Sequence, residues 1–309
     1  MSALARYPRL YAWYRAARPR TLTATYAPLG VAAVVALDQG VFDLLRFVLS
    51  LIGALFLQIA SNLINEYADY ARGSDMLKVA GQGMVIKQDV LAPRAVLAGA
   101  ILTVLAGSLI GLLLLVYSGL LLLWIGLGGV LVVILYTAGP LPLAYLGLGE
   151  LAVFIFMGPL MVLGAYYVMA AGQTSNVALL AGLPIGFMVA AILHANNIRD
   201  MDADRAANKR TLAVRFGLRF ARGEYVFLVG GAYVALAVLV IGGVMPWSTL
   251  LAFVTAPEAY RLITIITTRT DTALLHQAQG RTAKLHGQFG LWLAVGWLAA
   301  FVLRAIMGA

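Results

Sequence analysis

Residues 44–75 read LLRFVLSLIGALFLQIASNLINEYADYARGSD. The first part is a nearly unbroken apolar run, and about 20 such residues suffice for a helix to cross the hydrocarbon core of a bilayer. The run ends in Asn62, Asn65, Glu66 and Asp69, followed by Arg72, Gly73 and Asp75. Asn62, Asn65 and Asp69 are spaced i, i+3, i+7, so continuing the helix aligns them on one stripe. Gly73 lets the chain turn once the helix stops, and Asp75 can fold back toward Asp69. A membrane-crossing helix therefore finishes in a row of oxygen-bearing side chains.

The rest of the chain fits a lipid environment. Of its 309 residues, 62% are hydrophobic and 11% charged, against about 45–50% and about 25% in soluble domains. So few charges cannot coat a water-facing surface, and most of the surface must meet lipid. There is no cysteine, which excludes disulfides, thiolate metal ligands and cysteine nucleophiles. Apolar runs at about 21–37, 44–64, 95–116, 119–137, 151–171, 178–198, 224–243, 247–266 and 286–306 predict nine crossings. Pro257, Glu258 and Arg261 interrupt the eighth, so a kinked or re-entrant segment is expected there, with Glu258 and Arg261 in reach of each other one turn apart. Nothing reads as strand alternation, and no Ser- or Pro-rich linker divides the chain. The predicted fold is an all-α bundle of about nine transmembrane helices, a single domain over residues 1–309.

A net charge of +9 would suggest nucleic acid in a soluble protein. Here its placement argues for membrane orientation and against a nucleic-acid partner. With nine crossings, 20 of the 22 Lys and Arg residues fall on one side, and only Arg46 and Arg304 fall on the other. Basic loops stay cytoplasmic, so the N-terminus is expected inside and the C-terminus outside a cell (inner) membrane. The N-terminal stretch is basic and aromatic without an apolar core before a small-residue site, so no signal peptide is expected. Trp13, Tyr14, Tyr117 and Trp247 read as interfacial belt residues.

The sixth run ends as the second does, in Asn196-Asn197-Ile-Arg199-Asp200-Met-Asp202-Ala-Asp204-Arg205. Asp200 and Asp204 share a helix face while Asp202 points elsewhere. Asn65 and Asp69 have the same spacing as Asn196 and Asp200, which hints at a duplication that brings two equivalent helix ends together. An acid at the end of an apolar helix is costly unless paired, and so marks function. Hard oxygen ligands without Cys suit Mg²⁺, which binds through a few carboxylates plus phosphate oxygens. Lys78, Lys87, Lys209 and Arg210 lie nearby and suit a diphosphate. A metal-bound diphosphate beside an apolar cavity points to an allylic lipid diphosphate as substrate. Asp89 and Asp202 read as acids that merely cap helices or neutralise the basic loops, and His194 as a packed histidine. A transporter is the competing class, because intramembrane acids mark ion paths, but these acids cluster at one face and not at the midplane.

Several stretches together resemble the UbiA superfamily of intramembrane prenyltransferases over nearly the full length. They are Arg18-Pro-Arg-Thr-Leu22, the Asn65/Asp69/Asp75 segment, Tyr136-Thr-Ala-Gly-Pro-Leu-Pro-Leu-Ala-Tyr145 with Gly147-Leu-Gly-Glu150, the Asn196–Asp204 segment, Lys209-Arg-Thr-Leu-Ala-Val214 and Thr282-Ala-Lys-Leu-His286. Within it the Arg199-Asp200 and Lys209-Arg-Thr-Leu contexts look most like the 1,4-dihydroxy-2-naphthoate branch of menaquinone synthesis. Glu66 stands where many relatives have Asp, and Asn208 where Gly is usual. The resemblance implies a nine-helix bundle with a cytoplasm-facing site, two Mg²⁺ ions, a polyprenyl diphosphate donor and an aromatic acid acceptor that loses CO₂. It implies Asn65, Asp69 and Asp75 for one metal–diphosphate half and Asp200 and Asp204 for the other. It offers Arg18, Arg72, Lys78, Lys87, Asn196, Lys209 and Arg210 for substrate, and Tyr136 facing the prenyl cation. 4-Hydroxybenzoate, homogentisate, a chlorophyllide, haem or a glycerol-phosphate lipid are the alternative acceptors, and prenyl chain length and oligomeric state stay open.

Overall fold

A computed structural model describes residues 8–73, 83–137, 139 and 142–307. Asp75 and Lys78 lie outside the described residues. Regular structure among the described residues is helical. Helix α1 is Pro8–Ala16, and a 3-10 turn at Pro19–Leu22 leads into α2, Thr23–Asp38. Then follow α3 (Leu44–Ala71), α4 (Pro93–Ser118), α5 (Leu120–Leu135), α6 (Leu143–Leu146), α7 (Gly149–Met157) and α8 (Pro159–Met169). The chain continues through α9 (Asn176–Arg199), α10 (Met201–Ala206), α11 (Leu212–Ile241), a 3-10 helix at Trp247–Thr255, α12 (Ala256–Thr268) and α13 (Thr272–Met307).

Eight helical segments among the described residues are long and apolar enough to cross a membrane, and α5 is a shorter apolar helix of 16 residues. The nine expected crossings are all present as helices, with altered limits. The seventh and ninth start well before their apolar runs, at Leu212 and Thr272. Lys284 and Arg304 on α13 are about 30 Å apart along the axis at 1.5 Å per residue, the thickness of a hydrocarbon core. The first turns of α13 therefore stand beyond the hydrocarbon layer, at the end of the bundle that carries the Asp/Asn clusters.

Three crossings are interrupted, and the seventh, α11, kinks near its start at Gly217, whose φ of 81° is not helical. The fifth divides at Gly158 between α7 and α8. A Cβ on Gly158 would lie 2.5 Å from the Cα of Gly186 on α9, so only glycine permits this approach. Pro159 then restarts the helix at a position where no N–H is needed. The eighth crossing runs as 3-10 helix to Thr255 and as α12 from Ala256, with Pro257 at the join. Glu258 does not pair with Arg261 one turn on. It takes Arg281 of α13 in a two-pronged ion pair, both N–O distances 2.8 Å, because the fork geometry of guanidinium across a helix–helix contact outcompetes a neighbour on the same helix.

Helix α9 is the most buried crossing and packs against α2, α7, α8, α11 and α13. On the other side α3 packs along α4, but these helices and α5 are less buried and turn Leu102, Leu109, Leu120 and Trp124 outward. Tyr14, Tyr117 and Trp247 are exposed as a belt requires. Trp13 is not. Its ring packs with Leu63 and Val96 and fills the space beside Gly99.

Candidate functional site

The polar ends of α3 and α9 face each other across a cavity of about 60 Å³. Asn65 and Asp69 line it from α3, and Asn196, Asn197, Arg199 and Asp200 from the end of α9. Arg18 and Thr21 come from the turn before α2, Tyr136 from the end of α5, Lys209 from the α10–α11 connection and Gln279 from α13. The two Asn-x₃-Asp pairs thus share one chamber although they lie far apart in sequence.

Local chemistry explains each placement. Asn62, one turn below Asn65, donates to the Ala17 carbonyl at 2.8 Å and to Thr21 Oγ1 at 3.3 Å, which ties the Arg18 turn to α3. Arg18 itself sits in the left-handed region at φ 51°, a conformation that costs a side-chain-bearing residue about 1–2 kcal/mol. That backbone brings its guanidinium to the cavity wall, 3.4 Å from Glu66. Glu66 turns away from the cavity. Its carboxylate accepts backbone N–H groups of Met84, Val85 and Ile86 and pins the 83–86 segment as part of the chamber wall. Arg199 donates to its neighbour Asp200 from Nε at 2.7 Å and also from Nη2, while its Nη1 donates to His276 Nδ1 at 3.1 Å.

The other expected site residues lie around this chamber without lining it. Asp204 is buried behind Lys209, 3.5 Å from its Nζ. Arg72 donates to the carbonyls of Thr137 and Gly139 and stacks over Tyr145, so it shapes the turn after Tyr136. Lys87 sits on the turn after the Glu66-pinned segment, and Arg210 is exposed with its carbonyl held by Arg215. Asp202 is exposed and pairs with Arg205 at 3.1 Å. His194 is buried as expected, but with polar partners, Glu150 and the Ala221 carbonyl. Asn197, Arg199 and Gln279 were not among the expected site residues. The first two lay inside the Asn196–Asp204 motif and were readable there, whereas no pattern around Gln279 singles it out.

The donor set suits a hard cation. Asn65 Oδ1 is buried with no hydrogen-bond partner among the described residues, and it faces the same chamber as the carboxylates of Asp69 and Asp200. Oxygen donors of this kind, without thiolate or imidazole, suit Mg²⁺. Arg18, Arg199 and Lys209 on the same walls supply positive charge for an anion. His276 stands on the early turns of α13, beyond the hydrocarbon layer. Burial, then the charges of Arg199 and Arg20, hold its pKa below the ordinary histidine value.

A second, apolar cavity of about 510 Å³ opens from the first. Arg18, Thr21, Asn65, Tyr136, Leu193 and Asn196 line both. It runs between α3, α4, α5, α7, α8 and α9 as far as Ser50, Leu115, Leu122 and Val168. From Asn65 to Ser50 along α3 is about 22 Å at 1.5 Å per residue, most of the depth of the hydrocarbon core. Its walls are Leu, Val, Ile, Phe, Met and Gly with few polar groups. A charged head and a long apolar tail fit the two chambers together.

The UbiA prenyltransferase family model matches residues 26–278. The chain is 33% identical to a 1,4-dihydroxy-2-naphthoate octaprenyltransferase of Bacillus subtilis, over 92% of this chain and 91% of that one. It is 37% identical to the protein of the same description from Mycobacterium tuberculosis, over 81% and 84%. Among solved structures, a UbiA homolog from Aeropyrum pernix superposes with a TM-score of 0.67 at 16% identity, covering 90% of this chain and 97% of that one. A UbiA homolog from Archaeoglobus fulgidus bound to GPP and Mg²⁺ gives 0.57 at 17% identity, covering 92% and 99%.

Proposed function

The chain belongs to the UbiA prenyltransferase family, and on that premise we propose that it transfers a polyprenyl group from its diphosphate to 1,4-dihydroxy-2-naphthoate. The observation that carries this reading is the meeting of two Asn-x₃-Asp helix ends in a small cationic chamber that opens into a long apolar one. The description shared by the Bacillus and Mycobacterium relatives supports the acceptor. In the reaction the bond between the prenyl carbon and the diphosphate oxygen breaks. A bond forms from that carbon to the ring carbon bearing the carboxylate, which leaves as CO₂, so the products are a demethylmenaquinol, the reduced form of a demethylmenaquinone, with CO₂ and diphosphate.

Asn65, Asp69 and Asp200 would hold Mg²⁺, with Asp75 and Asp204 completing two ion sites that bridge the diphosphate. Bound there, the ions would offset its charge and improve it as a leaving group. Arg18, Arg199 and Lys209 take diphosphate oxygens, Lys87 and Arg210 draw it in from the rim, and Lys78 adds a further cation for it. The apolar cavity holds the prenyl tail and keeps water from the reacting carbon. Tyr136 and Asn196 line both chambers, where head and tail join, and the Tyr136 ring stabilises positive charge developing on the allylic carbon. Arg72 supports this by fixing the turn behind Tyr136.

The protein works as one membrane-embedded unit with the site and N-terminus cytoplasmic and the C-terminus outside, in the inner membrane. The basic-residue bias supports that orientation, and single cysteines placed in the cysteine-free chain test it: labelling at position 204 from the outer face would reverse it. The reaction itself is tested with labelled polyprenyl diphosphate and a panel of aromatic acceptors, with and without Mg²⁺. Mass spectrometry should find a prenylated naphthalenediol lacking the carboxyl carbon. Efficient use of 4-hydroxybenzoate with no use of dihydroxynaphthoate would overturn the acceptor.

A further inference from the structure

We propose that Asn197 presents its side-chain carbonyl oxygen to the metal–diphosphate, and that Glu150 and His194 are positioning residues that hold it there. The inference rests on the prenyl-transfer reading above. Asn197 lines the polar chamber beside Asp200 and Lys209. Its Nδ2 donates to Glu150 Oε1 at 2.8 Å. The hydrogen bonding fixes which way the amide faces. An ionised carboxylate only accepts, so the nitrogen branch of the planar amide is held on the Glu150 side. The oxygen branch is left for the chamber.

Glu150 is itself held. The same Oε1 lies 3.0 Å from His194 Nδ1, and Glu224 Oε2 lies 3.6 Å from that nitrogen. His194 Nε2 is 2.8 Å from the Ala221 carbonyl, which only accepts, so Nε2 carries a hydrogen and the ring cannot flip. Helices α7, α9 and α11 are therefore joined by one chain of bonds from Ala221 through His194 and Glu150 to Asn197. All three side chains are buried. Ionisable groups buried in this way seldom stabilise a fold more than apolar replacements do, so packing alone gives no reason for the cluster. A neutral, hard oxygen aimed into a chamber that already holds Asn65, Asp69 and Asp200 gives one.

The test follows binding of Mn²⁺ together with inorganic pyrophosphate to the full chain in detergent, read by electron paramagnetic resonance. Asn197→Ala should weaken binding about tenfold or more, the range for groups that supply or orient a ligand. Glu150→Ala should weaken it to a similar degree, and the double variant should be no worse than either, because both remove the same contact. Glu150→Gln keeps an oxygen that accepts from Asn197 and should stay within about threefold of the parent chain. If Glu150→Ala does not fold, Asn197→Ala and Glu150→Gln decide. Unchanged binding in Asn197→Ala, additive losses in the double variant, or a Glu150→Gln loss as large as that of Asn197→Ala would overturn the proposal. Asp200→Asn separates the two levels. If Asp200→Asn loses binding while Asn197→Ala does not, only this inference falls. If Asp200→Asn binds normally, the metal–diphosphate reading itself is wrong.

Discussion

Glu66 Oε1 accepts the backbone N–H of Val85 at 2.6 Å, and its Oε2 accepts that of Met84 at 3.0 Å. One buried carboxylate thus anchors a turn that lies 18 to 20 residues further along the chain. Glu66→Gln puts an NH₂ where one backbone N–H now finds an oxygen. Bonds from backbone N–H to a charged acceptor contribute about 1.5–3 kcal/mol, so stability should fall by about that amount. Thermal unfolding in detergent measures it. Lost turnover with an unchanged melting temperature would instead place Glu66 among the metal-holding groups.

Part of this arrangement is legible in the sequence. The apolar runs mark nine helices because lipid demands apolar length. The Asn65/Asp69 and Asn196/Asp200 pairs stand out because acids are rare at the ends of such runs. The start of α13 is hidden, since a helix that projects beyond the lipid loses its apolar signature, and so is the kink at Gly217 that sets the first turn of α11 apart. Long-range partners are hidden as well. Arg72 reads as a free cation until it meets the Thr137 and Gly139 carbonyls, and Glu258 has an equally plausible neighbour in Arg261 until helix packing brings up Arg281. Gln279 reaches the chamber only because α13 crosses beside it, and nothing local records that crossing.

Gly126 lines the apolar cavity, and among the described residues nothing lies within 4 Å of where its Cβ would be. The space left by this glycine belongs to the tail chamber. Gly126→Leu should fill it, and overpacking at about 1–3 kcal/mol should shift the ratio of turnover with geranyl diphosphate to that with long polyprenyl diphosphates by about tenfold or more. Competition between the two donors gives the ratio directly. An equal loss with both would mean that the tail lies elsewhere.

His276 accepts from Arg199 at 3.1 Å, and its pKa is lowered by burial and by the charges of Arg199 and Arg20, with Asp200 opposing. Because the folded value lies below the ordinary 6.5, the unfolded chain binds this proton more readily. The stability this group contributes is complete above about pH 6.5 and drains away as pH falls toward the folded value. The melting temperature of the parent chain relative to His276→Gln should therefore decline between about pH 7 and pH 5. A constant difference across that range would show that His276 does not sense Arg199.

Asp69 and Asp200 line one chamber from opposite helices, while Asp202, two residues from Asp200, is 97% exposed at its side chain. Replacing Asp69 or Asp200 with Asn removes a negative charge at nearly constant volume. In Asp69→Asn the fold should survive, since the chamber gathers carboxylates whose mutual repulsion is relieved. In Asp200→Asn one of the two bonds from Arg199 is lost and the other loses its charged acceptor, but the Arg199–His276 contact remains. Prenyl transfer should drop by about 10²–10³ or more in both, the loss seen when one preorganised charge-stabilising group is removed. Raising Mg²⁺ should recover part of it, because a weakened site fills at higher concentration. Asp202→Asn should keep near-normal turnover, as Asp202 pairs with Arg205 at the surface, away from the chamber. Turnover and melting temperature across a Mg²⁺ titration separate the cases. Near-normal turnover in Asp69→Asn and Asp200→Asn, or an equal loss in Asp202→Asn, would mean that these acids merely shape helix ends and that the cation site lies elsewhere.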